Sequence, residues 1–381
     1  MVESTLVRSI IDIAMFFGLY VILAMALNFQ FGNGGVPNMG SAVSVAFGGY
    51  IVSAFILRLI FWIGQGANIE LGPDWVYDNI HNVDMMTVFF KEHALLGISL
   101  FVLALTLGLV LGTLFGYIIS FPAIKLQGTY LMITLIAMSE ASQVIGRNYV
   151  PISGGTLGVR VPNIFSFYEG DRSLLLAIIT LSIGIVVFFI FSTMINSPYG
   201  RLIRALRENE TTLNSTGKNV TGIRRNLLMF SSGITSVVGV LIVFYFSYST
   251  SSIYMMSTYT FWPWLMLLVG GAGNNAGTFL GALLVISIRR LIIIFKWELT
   301  EFFWFPVAFL ENILLGALLL VTMIFKPNGL IPEKSLYIPG LKYYKLIRES
   351  APVSWRVSHE RRSLLDIIQF WRRKERLKSE E

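Results

Sequence analysis

No cysteine occurs among the 381 residues. Disulfides, thiolate metal ligands and a cysteine nucleophile are therefore excluded. Histidine is nearly absent as well. His81, His93 and His359 lie far apart without metal-ligand spacing, so no metal site is expected. Charge is scarce: 13% of residues are Asp, Glu, Lys or Arg, against about 25% in a soluble domain. Hydrophobic residues make up 55%, and the mean hydropathy is +0.69. In place of charge there are apolar runs near or above the ~20 residues that cross a bilayer. Strand-like alternation is too sparse for a barrel. The expected fold class is an all-α polytopic helical membrane protein.

Spans are expected at about 10–31, 42–64, 94–120, 128–146, 173–196, 226–248, 259–272, 277–296 and 304–325, about nine within a range of eight to ten. The run at 259–272 is short enough to be broken or re-entrant, which requires protein or water beside it. The first run reads as a retained span, because Glu3 and Asp12 sit early and it continues to Phe31. Loop 65–93 holds Glu70, Asp74, Asp78, Asp84 and Glu92 against Lys91, and reads as outside. Segment 121–127 carries Lys125 alone. Segment 197–225 has six basic residues against two acidic, and both read as inside. Beyond Leu341 the tail has eleven basic and six acidic residues, so it is +5 and the other 340 residues are +2. Alternation then places the N-terminus outside and the C-terminus in the cytoplasm of a multi-pass plasma-membrane protein. The basic charge lacks the aromatic interleaving of a nucleic-acid surface, and no nucleic-acid partner is expected.

The charged segment from Ser197 to Thr221 interrupts this apolar chain. Ser197 before Pro198 suits a helix start. Leu202, Ile203, Leu206 and Leu213 recur at helical spacing, and Gly217 suits a left-handed stop. One amphipathic helix is expected, lying either on the membrane surface or in a groove of another protein.

This segment resembles the cytoplasmic coupling loop of M-type (LivM-like) permease subunits of branched-chain amino acid ABC importers. The matching residues are Ser197, Pro198, Gly200, Arg201, Arg204, Ala205, Arg207, Glu208, Asn209, Glu210 and Gly217. Thr212 and Leu213 stand where alanines are usual. Three further blocks match in order. The first holds Asn28, Gly32, Gly35, Gly40, Ala42, Gly49 and Tyr50, with Val36 and Ser41 where glutamine and histidine are common. The middle block holds Gly128, Tyr130, Thr134, Leu135, Glu140, Asn148, Gly154, Gly155 and Gly158. The late block holds Gly270, Gly271, Gly273, Gly277 and Gly281. FKPNGLIP resembles the family's terminal Arg-Pro-x-Gly-Leu signature, with Lys326 for arginine. Together the blocks cover roughly residues 10–332, and the tail is longer than is usual.

The resemblance implies a type II-like ABC permease fold, with residues 1–332 as the permease domain, 197–225 as the coupling loop and 333–381 as a basic cytoplasmic extension. It implies uptake of branched-chain or related amino acids. It also implies a second (LivH-like) permease subunit, two (LivG- and LivF-like) ATPase subunits and an extracytoplasmic binding protein. No Gly-x4-Gly-Lys-Ser/Thr loop occurs, so ATP and magnesium are expected on the partner subunits and no cofactor on this non-enzymatic chain. Arg201, Arg204, Arg207, Glu208, Asn209, Glu210 and Gly217 are the candidate coupling residues. Asn28, Gly32, Gly35, Gly40, Glu140, Asn148, Gly154, Gly155, Gly271, Gly273 and Gly277 are the pathway or packing candidates.

The glycines admit two readings, a close-packing face or broken helices beside the pathway. Glu140, with Ser139, Ser142 and Gln143, either hydrogen-bonds a neighbouring helix or lines the route of an ammonium group. Glu311–Asn312 admits the same pair of readings. Arg289 and Arg290 are expected to snorkel or to meet an acid. In the tail, Leu364, Ile368 and Trp371 share a face suited to lipid or to a solvated extension. Alternatives to the amino-acid importer are an importer of urea, amides or simple sugars in the same superfamily, and an ion-coupled carrier. The carrier would show inverted repeats and several intramembrane carboxylates, and neither is evident.

Overall fold

The computed structural model describes residues 2–126, 128–295 and 308–333. They belong to one compact unit, Met1–Glu333. The expected spans at 277–296 and 304–325 each fall partly outside the described residues, and the tail with its amphipathic stretch falls wholly outside them. The side chains of Glu311 and Asn312 are outside them too.

Helix α1 (Val2–Leu27) runs on through a π-helical turn, Asn28–Asn33. After an irregular stretch, α2 (Ser41–Tyr50) continues through a second π turn, Ile51–Ile56, into α3 (Leu57–Gly66). Then come α4 (Asn79–Glu92), α5 (Ala94–Lys125), α6 (Gly128–Asn148), α7 (Val150–Ser153) and α8 (Arg172–Asn196). The short helices α9 (Pro198–Glu208) and α10 (Glu210–Ser215) precede α11 (Val220–Phe246). A third π turn (Ser257–Phe261) leads into α12 (Trp262–Gly270), followed by α13 (Asn275–Ile294) and α14 (Ala308–Phe325).

Six of the described helices are long and apolar enough to cross a membrane: α1 with its π turn, α2–α3, α5, α8, α11 and α13. Helices α6, α12 and α14 occupy the other three expected positions. Stretch 259–272 holds the end of the third π turn and α12, which stops at Gly270; α13 starts at Asn275, so the break falls between this expected span and the next.

The loop 65–93 departs from expectation, because it contains α4. Its buried Val83, Met86 and Phe90 repeat at helical spacing among polar residues. Close by, Val159–Arg160 (β1) pairs antiparallel with Tyr248–Ser249 (β2). These two strands are too short to leave a period in the sequence.

The most extensive helix pairing is α5 against α11. Gly108, Gly112 and Gly116 recur every four residues on α5. A Cβ on them would stand 2.7 Å from Val240 Cγ2, 2.7 Å from Ser236 Oγ and 2.7 Å from Ser232 Cβ. In hydrocarbon, where apolar burial does not drive helices together, such close approach supplies the packing. Helix α1 lies against α8, α11, α12 and α13, with Met15, Leu19, Ile22 and Leu23 buried. At the starting end of α1, the Tyr245 hydroxyl donates to Asp12 Oδ1 (2.6 Å), tying α1 to the far end of α11. The N-terminal part of α1 and the α9–α10 segment therefore lie at opposite ends of the bundle. The α13 arginines meet rings: Arg289 lies 4.7 Å from the centre of Trp262 and Arg290 3.3 Å from that of Phe16.

Candidate functional site

At the π turn closing α1, Asn28 is fully buried. Its Oδ1 accepts from the Gly273 backbone N–H (2.8 Å), and its Nδ2 donates to Asn275 Oδ1 (2.8 Å). Asn275 Nδ2 donates in turn to Ser192 Oγ on α8 (2.9 Å), and Asn33 Nδ2 donates to the Asn28 carbonyl (3.0 Å). A π turn widens the helix and leaves backbone groups for such partners. This chain of amides ties α1, α8 and the α12–α13 break together.

The break has its own supports. Gly271 and Gly273 have φ of +115° and +85°, a region open to glycine. Asn274 Oδ1 caps α13 by accepting from Ala276 N (3.0 Å) and Gly277 N (3.3 Å). The chain after α14 returns here: Leu330 N donates to the Val269 carbonyl (2.8 Å) and Ile331 N to the Gly270 carbonyl (3.0 Å). Asn274 Nδ2 donates to the Pro332 carbonyl (3.0 Å).

Onto this junction packs α9. Gly200, Ile203 and Leu206 are its buried side, and Tyr199 sits partly buried beside them, its phenol pKa raised by desolvation. Ser197 and Pro198 start the helix as expected, although the Ser197 hydroxyl turns back to the Met194 carbonyl (2.6 Å) instead of capping α9. The single helix expected over this segment is instead two. Asn209, at φ −159° and ψ 106°, leaves the helical region, and its Oδ1 accepts from Thr212 N (2.9 Å) to start α10. A residue that can cap its own successor competes with helix continuation, and here it prevails. Gly217, at φ +75°, closes the segment in the left-handed conformation.

Arg207 points inward. Its Nη1 donates to the Gly32 carbonyl, and its Nη2 donates to Glu333 Oε2 (2.8 Å) and Oε1 (3.0 Å). Arg207 Cα would lie 3.1 Å from a Cβ placed on Gly35, whose φ is +67°. On Gly273 a Cβ would stand 2.9 Å from Glu333 Cδ and 3.2 Å from Arg207 Nη1. Small residues at 35 and 273 thus make room for the guanidinium.

The candidates therefore sort by place. Asn28, Gly32, Gly35, Arg207, Gly271, Gly273 and Gly277 converge on one junction. Glu210 also turns inward, accepting from Arg224 Nη2 on α11 (2.5 Å). Arg201 and Glu208 are exposed, the latter with 69% of its side chain, although Glu208 Oε1 also accepts from Arg207 Nη2 (3.3 Å). Arg204 is half-buried, and its Nε has no hydrogen-bond partner among the described residues. Gly40 lies elsewhere, against Leu135 of α6. Asn148, Gly154 and Gly155 sit at the opposite end, near β1 and β2, where Gly154 and Gly155 make tight turns at φ +73° and +69°. The polar patch on α6 divides: Gln143 Nε2 donates to the Tyr254 carbonyl (2.7 Å), Ser139 is buried, and Glu140 is exposed on the outer face. Among the described residues Glu140 has no hydrogen bond to a neighbouring helix.

Sequence reasoning missed Asn33, Asn274, Asn275, Ser192 and Glu333. The three asparagines do sit inside or beside the glycine blocks, which is the signal available for them. Glu333 follows directly on the FKPNGLIP signature, but nothing in its neighbours marks it.

Comparison with known proteins adds a family profile, "Branched-chain amino acid transport system / permease component", which matches residues 9–323. A Methanocaldococcus jannaschii protein named "Probable branched-chain amino acid transport permease protein LivM" is 35% identical over 334 residues, covering 87% of this chain and 95% of that protein. The high-affinity branched-chain amino acid transport system permease proteins LivM of Salmonella typhimurium and Escherichia coli are 23% and 22% identical over 313 residues, each match covering 74% of this chain and 70% of the relative. No solved structure matches.

Proposed function

Because this chain belongs to the branched-chain amino acid transport system permease family, we propose that its α9–α10 segment is the cytoplasmic lever through which separate ATPase subunits drive it. The chain is a multi-pass membrane protein, the permease subunit of an importer for branched-chain amino acids. Its partners are a second permease subunit, two ATPase subunits that carry ATP and magnesium, and an external binding protein that delivers the amino acid. The chain itself performs no chemistry. The six basic residues against two acidic at 197–225 favour the cytoplasmic side for this segment and, by the geometry of α1, the outside for the N-terminus.

One observation carries the lever reading: Arg207 bonds the segment to the Gly32 carbonyl at the end of α1 and to Glu333, which follows the residues bonded to the α12–α13 break. A helix that merely lay on the membrane surface would have no need of such bonds. Its buried side, Ile203 and Leu206, is fixed to the body, and its exposed side offers Arg201 and Glu208 to a partner groove. Glu140, exposed on α6, is assigned to the polar lining shared with the second permease subunit, where an ammonium group passes.

The test is reconstitution in proteoliposomes with the neighbouring-gene ATPase, permease and binding-protein subunits. Uptake is expected only with all of them and ATP. In that system R201E is expected to lower ATP-driven uptake at least about tenfold, since like charges at an interface cost several kcal/mol and each 1.4 kcal/mol is tenfold. Uptake by this chain without an ATPase would contradict the reading.

A further inference from the structure

Glu333 stands at the end of the compact unit and meets Arg207 with both carboxylate oxygens, at 2.8 and 3.0 Å. Both oxygens meet the same nitrogen, Nη2, while Nη1 donates to the Gly32 carbonyl, so the guanidinium is held at two separate partners. The segment that holds this carboxylate is itself anchored. Leu330 and Ile331 bond the last carbonyls of α12, and the Pro332 carbonyl accepts from Asn274, the cap of α13. Glu333 is thus mounted on the α12–α13 break, and Arg207 is mounted on α9. Gly273 leaves no room for a Cβ between the two.

We propose that Glu333 is the positioning residue that converts movement of α9 into movement of the α12–α13 break. The Arg207–Glu333 pair is the strut. Its second foot is the Gly32 carbonyl, so the same displacement reaches the π turn of α1. The pair is about a quarter to a third exposed, with side chains at 24% and 30%, and the second hold on the guanidinium is the Gly32 carbonyl. Arg207 accordingly acts inside this subunit, and the surface that meets the motor is the Arg201 and Glu208 side. The strut rests on the lever reading above.

Uptake and ATP hydrolysis are measured together in the fully assembled complex in proteoliposomes. Glu333→Gln is expected to lower uptake per ATP hydrolysed about tenfold, within the usual range of coupling between sites, while hydrolysis continues and the subunits still co-purify. Glu333→Asp is expected to retain most of the ratio, and the exchange R207E/E333R to recover part of what E333Q loses. A wild-type ratio in E333Q overturns the proposal. So does failure of E333Q, E333D and the exchange alike to assemble, since Glu333 would then be a folding residue. The lever reading is separated in the same assay by R201E, which leaves the Arg207–Glu333 pair and its neighbour Glu208 unchanged. If R201E is impaired while E333Q is normal, the strut alone fails. If R201E is normal as well, the lever fails with it.

Discussion

At the scale of single residues, the coupling motif holds two neighbours with opposite duties. Arg207 is bonded inward to Gly32 and Glu333, while Glu208 is exposed and reaches Arg207 Nη2 only at 3.3 Å. Their adjacency in Arg-Glu-Asn-Glu hides this, since a run of charges on a helix looks uniformly solvated. Lysine has one nitrogen and cannot meet the Gly32 carbonyl and Glu333 from two separate nitrogens, as Nη1 and Nη2 of arginine do. Arg207→Lys is therefore expected to destabilise the detergent-solubilised chain by about 1–2 kcal/mol, the scale of lost charge-assisted hydrogen bonds. Glu208→Ala is expected to stay within about 0.5 kcal/mol, as surface changes do. Thermal unfolding of the two variants side by side measures the difference, and equal losses would mean that Arg207 is not held as described. The inward place of Arg207 was not legible from the segment itself, because its acceptors lie 175 and 126 residues away in the chain.

At the scale of elements, the membrane helices were largely legible because length and apolar content alone define a span. The break at 270–275 was legible too, since a short apolar run followed by a glycine cluster leaves little else. The split at Asn209 was not, because asparagine fits a helix pattern and a cap equally until its φ and ψ are known. Helix α4 escaped because its apolar stripe is narrow and lies among acids that mark an external loop. The glycine row on α5 is plain in the sequence, and it builds the most extensive helix contact among the described residues. Gly112→Leu should force α5 and α11 apart, because Ser236 already touches the space a Cβ would need. The expected outcome is loss of the monodisperse folded species, an overpacking cost of at least about 1–3 kcal/mol. An unaltered size-exclusion profile would show that the α5–α11 contact does not hold the bundle.

At the scale of the whole molecule, four blocks widely separated in sequence meet at one end: the π turn of α1, the segment 197–217, the α12–α13 break and the return after α14. The order of the blocks along the chain pointed to the family, and their meeting in space supplies the reason that they occur together. The polar residues of the middle block go elsewhere, Glu140 to an exposed face of α6 and Asn148 to the far end, so the blocks do not form a single site. The central claim is that this meeting point faces the cytoplasm and is where the motor acts. Because the chain has no cysteine, Glu208→Cys provides a single exposed label at the lever without further engineering. A membrane-impermeant maleimide is expected to modify it in inside-out vesicles and to leave it untouched in sealed right-side-out vesicles. Labelling of Glu208→Cys from the right-side-out face would contradict the account.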